Sequence, residues 1–230
     1  MTGRVLLAAL LAGIAAGLIM SAIQHVKLTP LILAAEKYET EGASAHQHRT
    51  EAQPAPEDAW APRNGFERTL YTTLASIIAG AGFASLLAGI SVLLGQRVTG
   101  RNGVLWGLAG FVTVSLAPAA GLPPELPGMQ AADLIQRQIW WVATIIATGA
   151  GIALIFLRSE LIAKIVGVAI IAVPHLIGAP QPLSEESGVP PALSAAFAAN
   201  SIVAAAIFWC AIGGFLGLTM DRFLEDRSAP

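Results

Sequence analysis

The chain has 230 residues, of which 55% are hydrophobic and only 12% are charged, and its mean hydropathy is +0.66. A soluble domain usually carries roughly 25% charged residues, so this composition excludes an ordinary soluble globular protein. The formal net charge is −2, without the basic excess that marks a nucleic-acid-binding protein. The single cysteine, Cys210, excludes a disulfide framework.

Apolar segments free of Lys, Arg and Glu follow one another along most of the chain. They are residues 5–24, 69–96, 102–124, 138–157, 165–184 and 187–221. A transmembrane helix needs about 20 apolar residues, a length that the third and fifth segments barely reach. The first segment exceeds the usual apolar core of a signal peptide and is therefore predicted to remain as a helix. We predict an all-α, polytopic membrane bundle of about six transmembrane helices, forming a single membrane domain over residues 1–230.

The basic residues of the short loops and termini predict the orientation of this bundle. In a six-helix arrangement, seven of them fall on one side, and Arg137 alone falls in the two short loops of the other side. The seven are Arg4, Arg97, Arg101, Arg158, Lys164, Arg222 and Arg227. Because basic residues concentrate in cytoplasmic loops, both termini are predicted to be cytoplasmic.

The connections on the predicted outer side are rich in proline. A polar loop at residues 36–67 follows the first helix, and the connections 115–128 and 172–193 each contain an Ala-Pro step followed by a Pro-Pro pair. This similarity predicts repeated outward-facing helical hairpins, although prolines also collect wherever helices end. Pro118 and Pro174 are expected to cut the third and fifth helices short.

Several catalytic signatures are absent from the sequence. It has no Gly-x-x-x-x-Gly-Lys phosphate-binding loop and no His-Glu-x-x-His zinc motif. No charged residue lies deep in a predicted helix, so a carboxylate proton relay has no support. We therefore expect neither an enzyme nor a tightly bound cofactor.

The four histidines all fall on the predicted outer side of the membrane. His25 is expected near the outer boundary, whereas His175 should lie below the outer surface, just past Pro174. An ionisable group at that depth marks a candidate functional site; the alternative is an imidazole bonded to a carbonyl that the proline leaves free. His46 and His48 form a His-x-His pair in a polar tract, where they would capture an ion weakly or simply be solvated.

Carboxylates and polar side chains near these histidines would suit a cation. Glu36 and Glu39 are three residues apart, so a helical continuation of the first span places both on one face. Imidazole together with carboxylate suits borderline divalent ions such as Co²⁺, Ni²⁺ and Zn²⁺. Ser21, Gln24 and Asn200 could add a polar lining, or equally could form hydrogen bonds between helices.

Four stretches of the sequence resemble CbtA, a family of predicted cobalt transporter subunits. They are residues 4–39, A-W-A-P-R-N-G-F-E-R-T-L-Y-T at 59–72, L-A-P-A-A-G-L-P-P-E-L-P-G at 116–128 and P-H-L-I-G-A-P-Q-P at 174–182. The resemblance implies a polytopic protein of the bacterial inner membrane that supplies cobalt for cobalamin synthesis. It also implies a small one-span partner of the CbtB type with a histidine-rich end. Members are usually described with five spans and a more histidine-rich loop than this chain has.

The sequence therefore predicts a membrane subunit for uptake of Co²⁺ or a similar divalent ion. His25 and His175 are the favoured ligands, with Glu36 and Glu39 as an outer funnel. Besides the lipid bilayer, the expected partner is the CbtB-type subunit, and no nucleic acid is expected. The rival hypothesis is a non-transporting membrane scaffold or assembly protein.

Overall fold

The computed structural model describes residues 2–47, 62–182 and 187–225, and all regular structure within these ranges is helical. In chain order the elements are α1 (Thr2–Ile23), π1 (Gln24–Leu28), α2 (Thr29–Gln47), α3 (Phe66–Leu93), α4 (Gly103–Phe111), π2 (Val112–Leu116), α5 (Ala117–Ala119), α6 (Leu134–Leu157), α7 (Leu161–Ile177) and α8 (Pro191–Glu225). The two π-helical segments join their neighbouring α-helices without a break. The described residues therefore form six helical rods, which confirms the predicted all-α polytopic bundle.

The rods differ in length relative to a membrane. Four are long and apolar enough to span one: Thr2–Tyr38, Phe66–Leu93, Leu134–Leu157 and Pro191–Phe223. The other two, Gly103–Ala119 and Leu161–Ile177, are shorter apolar helices. At about 1.5 Å per residue each is about 25 Å long, slightly less than a hydrocarbon core of about 30 Å. These two helices correspond to the third and fifth predicted segments, which barely reach the length that a transmembrane helix needs.

The two prolines expected to cut these short helices do not end them. The chain remains helical through Pro118 to Ala119, and Pro174 lies inside α7, which ends only at Ile177. Each proline lacks the N–H that would bond the carbonyl four residues earlier, yet the chain stays helical on both sides of it. In α7 the amide of Gly178 donates to the carbonyl oxygen of Pro174 at 3.0 Å and closes the last turn.

The polar segment after the first apolar helix begins as helix rather than as loop. Helix α2 runs to Gln47, so only the later part of the expected 36–67 loop can be irregular. On this helix the side chain of Ala35 is fully buried in a cluster with Leu126 and Val189, which are 3% and 4% exposed. This apolar contact with two distant connections explains why the helix continues beyond the membrane-spanning length.

Glycines set the distance between three helix pairs: α1 with α3, α4 with α8, and α6 with α7. A Cβ on Gly17 would lie 2.6 Å from the Cα of Ile77, so these backbones are in direct contact. The other close glycine contacts are Gly13 with Gly80, Gly103 with Gly213, and Gly151 with Gly167. Small residues that let backbones approach are the usual basis of helix packing in membranes, where the lipid is as apolar as the protein core.

Helix α8 is the centre of the bundle and fixes the position of both chain ends. It packs on α1 and α4, and its Ile212 and Leu216 are fully buried. The Arg4 guanidinium donates to the carbonyl of Phe223 at 3.1 Å, and the amide of Gly100 donates to the Asp221 carboxylate at 2.7 Å. The beginning and end of the described chain therefore lie together at one end of the bundle, the terminal end. We call the opposite end the distal end.

The two π-helical segments occupy equivalent positions in the first and third rods. Each ends two residues before a proline, in the sequences V-K-L-T-P at 26–30 and V-S-L-A-P at 114–118. The predicted repeat compared the connections 115–128 and 172–193, but α7 has no π-helical segment. The closer structural counterpart of the third rod is thus the first. Because π-helical turns are rare and are often found at functional sites, these two segments indicate the distal end as the candidate region for a functional site.

Candidate functional site

A buried polar cluster joins the first rod to α3 beside π1. The hydroxyl oxygens of Ser21 and Thr73 are 2.6 Å apart, and the Ser76 hydroxyl donates to Oε1 of Gln24 at 3.1 Å. Ser21 and Ser76 are only 8% and 6% exposed. The structure thus uses Ser21 and Gln24 in hydrogen bonds between helices, and it gathers four side-chain oxygens in one seam. Asn200 instead donates to the carbonyl of Ala196 on its own helix, at 2.7 Å.

The carboxylate of Glu36 forms an ion pair with Arg68. The Glu36 oxygen lies 2.7 Å from Nη2 of Arg68, whose Nη1 donates to Asn64 at 2.8 Å. This pair fixes α2 to the beginning of α3, and a metal ion bound by Glu36 would share the carboxylate with a guanidinium. Glu39 lies about one turn further along α2, and the structure describes its backbone alone. The same holds for His46, while His48 is outside the described residues.

His25 belongs to π1 and has an exposed side chain. Its neighbour Gln24 reaches into the seam with α3, so the two side chains leave the helix on different faces. The imidazole is consequently presented on the surface of the first rod, directly beside the buried oxygen cluster.

His175 lies in the last turn of α7 and is also exposed. Its ring meets the ring of Trp140 edge to face, with centroids 5.8 Å apart. The indole Nε1 of Trp140 donates to the carbonyl of Pro174 at 3.1 Å. The same carbonyl also accepts from the amide of Gly178 at 3.0 Å. Among the described residues, no hydrogen bond joins the His175 imidazole to a carbonyl.

The two histidines lie on separate helix pairs. Segment π1 packs beside α8, whereas α7 packs against α6. Among the side chains that the structure describes, no three of the types His, Cys, Asp and Glu lie close enough together to hold a metal ion. A site shared by His25 and His175 stays a prediction, and any ion bound there needs further donors.

A groove of about 450 Å³ opens at the distal end between the 118–125 segment, α6 and α8. An ion pair crosses it, with the Glu125 carboxylate 2.9 Å from Nη2 of Arg137. The hydroxyl oxygen of Ser201 is buried in the wall and has no hydrogen-bond partner among the described residues. The sequence analysis missed this groove. Two sequence features could have revealed it. Arg137 is the lone basic residue of the short outer loops, and Glu125 is an isolated acid in the proline-rich connection before it.

Six apolar helical rods, four of them long enough to cross a membrane, define a polytopic membrane protein. The chain belongs to the CbtA family, described as probable cobalt transporter subunit, whose family model matches residues 2–221. This match confirms the resemblance found in the sequence, and it covers both the helical rods and the distal connections. No curated protein and no solved structure shows detectable similarity to the chain.

Proposed function

We propose that the chain is the membrane subunit that takes up Co²⁺, or a similar divalent ion, and captures it at the distal end through imidazole and carboxylate groups. The observation that carries this proposal is the placement of His25, Glu36 and His175. All three lie at the distal end of a protein whose family consists of probable cobalt transporter subunits. The basic residues concentrated at the terminal end support cytoplasmic termini in a bacterial inner membrane, which makes the distal end the entry side.

The chemistry of these groups suits a borderline cation. Imidazole nitrogen binds Co²⁺, Ni²⁺ and Zn²⁺ well, and carboxylate oxygen adds charge neutralisation. We assign His25 and His175 as the ligands because both imidazoles are exposed at the distal end. The outer groups that would raise the local ion concentration are Glu36, Glu39, His46 and His48.

The buried oxygen cluster supplies the next donors along an inward path. Its side-chain oxygens form two hydrogen-bonded pairs beside π1, Ser21 with Thr73 and Gln24 with Ser76. Such oxygens can replace water ligands of a hydrated cation as it leaves the solvent. Asn200, half-buried on α8, is the further polar residue that we place in this lining.

The described chain offers this ion fewer than three clustered ligands, so a second polypeptide would complete the site. The description of the family as a transporter subunit fits such an arrangement. We propose that the partner is a small one-span protein of the CbtB type, whose histidine-rich end would add imidazole ligands at the distal end.

Metal accumulation tests the proposal against the scaffold alternative. Cells would express the chain alone, the partner alone or both, with the amount of inserted chain matched by membrane immunoblot. Transport predicts that cellular cobalt rises when both are present. It also predicts that the rise is lost in a His25→Ala variant that inserts normally. A full rise with the partner alone would favour a scaffold role for this chain, whereas an unchanged rise in the variant would argue against His25 as a ligand.

A further inference from the structure

The Glu125–Arg137 ion pair lies at the depth of the lipid headgroups. Arg137 is in the first turn of α6, which begins at Leu134. The next turn carries Trp141, whose side chain is 41% exposed, and tryptophan is enriched at the membrane–water interface, where its ring is apolar and its N–H is polar. The mouth of the groove therefore opens at the interface, with the body of the groove directed towards the hydrocarbon.

Both members of the ion pair keep binding capacity. Their side chains are 23% and 29% exposed, and one guanidinium nitrogen lies 2.9 Å from one carboxylate oxygen. A guanidinium has five N–H donors and a carboxylate about four lone-pair sites. Among the described residues, each has the other as its partner. The groove thus presents a positive and a negative group side by side, with no excess of either charge.

Below the ion pair the surface is mainly apolar and has two neighbouring depressions. The groove wall includes Trp141, Ile202 and Ala205, and a second depression on α6 runs on to Ile146. The two depressions meet at Gln138, which lines both. From the ion pair to the end of the second depression, α6 rises by about 14 Å. An extended acyl chain fits this length and this lining.

Two further polar groups line the groove: Gln138, which follows Arg137 on α6, and Ser201 on α8. Gln138 is exposed on α6, and the Ser201 hydroxyl is buried without a partner among the described residues. In hydrocarbon an unpaired polar group is costly. The ester region of a lipid carries acceptor oxygens at this depth, directly between its headgroup and its acyl chains.

We propose that the groove binds one phospholipid with a phosphoethanolamine headgroup. Its phosphate contacts Arg137, its primary ammonium contacts Glu125, and one acyl chain follows α6. Anionic lipids are bound by pockets with an excess of basic residues, and this groove has no such excess. A primary ammonium donates three hydrogen bonds to a carboxylate, as a lysine does, whereas the trimethylammonium of phosphocholine donates none. The headgroup charge pattern therefore matches the ion pair better than phosphoglycerol or phosphocholine does.

Native mass spectrometry of the delipidated full chain tests this inference. The chain would be offered equimolar phosphatidylethanolamine, phosphatidylcholine and phosphatidylglycerol with identical acyl chains, and the bound lipid counted. We expect one retained lipid, with phosphatidylethanolamine preferred at least about tenfold over each of the others. Equal retention of the three lipids, or none, overturns the proposal without the need for any variant.

A matched pair of variants tests the assigned headgroup contact. Glu125→Gln removes the charge that faces the ammonium, so the preference over phosphatidylcholine should fall to about onefold. Glu67→Gln is the control, because Glu67 also forms an ion pair at the distal end, with Arg63 at 3.2 Å, but lies on α3. The control should keep the full preference. A preference that survives Glu125→Gln, or that falls equally in both variants, contradicts the assignment.

Discussion

Gly80→Ala is the substitution that tests the helix packing most sharply. A Cβ at Gly80 would run into the carbonyl oxygen of Gly13 and lie 3.3 Å from the amide nitrogen of Gly17. Both atoms belong to the backbone of α1, so no side chain can rotate away. To reach an ordinary contact distance, α1 and α3 would have to separate by about 1 Å, since carbon and its neighbours are in optimal contact at about 3.5–4.0 Å.

The free energy of unfolding should fall as a result. Overpacking a tight contact costs about 1–3 kcal/mol, while replacing glycine by alanine within a helix returns up to about 1 kcal/mol. The separation would also lengthen the hydrogen bond between Ser21 and Thr73 in the same seam, now 2.6 Å. We expect a net loss of about 1–2 kcal/mol for Gly80→Ala.

Gly82→Ala provides the matched control two residues away on the same helix. A Cβ at Gly82 meets no atom within 4 Å, so this variant should be as stable as wild type or gain up to about 1 kcal/mol from helix propensity. Unfolding of both variants in mixed micelles, followed by tryptophan fluorescence during denaturing-detergent titration, measures the difference. If Gly80→Ala proves as stable as Gly82→Ala, the contact between α1 and α3 is not as close as the structure has it.

Three further predictions concern function and orientation. Replacing His46 and His48 by alanine should weaken cobalt uptake at low external metal and matter little at high metal, because we assign these histidines to raising the local ion concentration and not to the essential site; loss of uptake at every concentration would make these histidines essential. On a Cys210→Ser background, an external thiol reagent should label a cysteine at position 48 and spare one at Thr99, and labelling of position 99 in intact cells would reverse the orientation. Uptake should fall in acidic medium because protons compete with the metal for imidazole nitrogen, and a rate that does not change with pH would argue against histidine ligands.

The bundle could be predicted from sequence because membrane insertion imposes long uncharged segments, and these are visible in the order of residues. The prolines were less informative. Pro174 was expected to cut α7 short, but the helix continues beyond it to Ile177. The sequence suggested a helical continuation of the first span past Glu36 and Glu39, but not the full extent of α2. Its polar sequence resembles a loop, and the contact that stabilises it buries Ala35 against Leu126 and Val189, which are far away in the chain.

The candidate site was predictable in its location but not in its pairings. The sequence placed His25 and Glu36 at the same end of the protein. In the structure both residues follow α1 in the first rod and lie at the distal end. The partner of Glu36 is Arg68, 32 residues further along the chain, and no local pattern encodes such a pair. The Glu125–Arg137 ion pair likewise depends on how the proline-rich connection folds back on α6.

The most direct test of the transport hypothesis is the initial rate of radioactive cobalt uptake in cells that express the chain together with its partner. The double variant His25→Ala/His175→Ala should reduce this rate to background while the protein remains inserted in the membrane. Gln181→Ala, an exposed polar residue beyond α7 that we do not assign to the site, should keep the wild-type rate. A double variant that still takes up cobalt at the wild-type rate would contradict the assignment of these histidines as metal ligands.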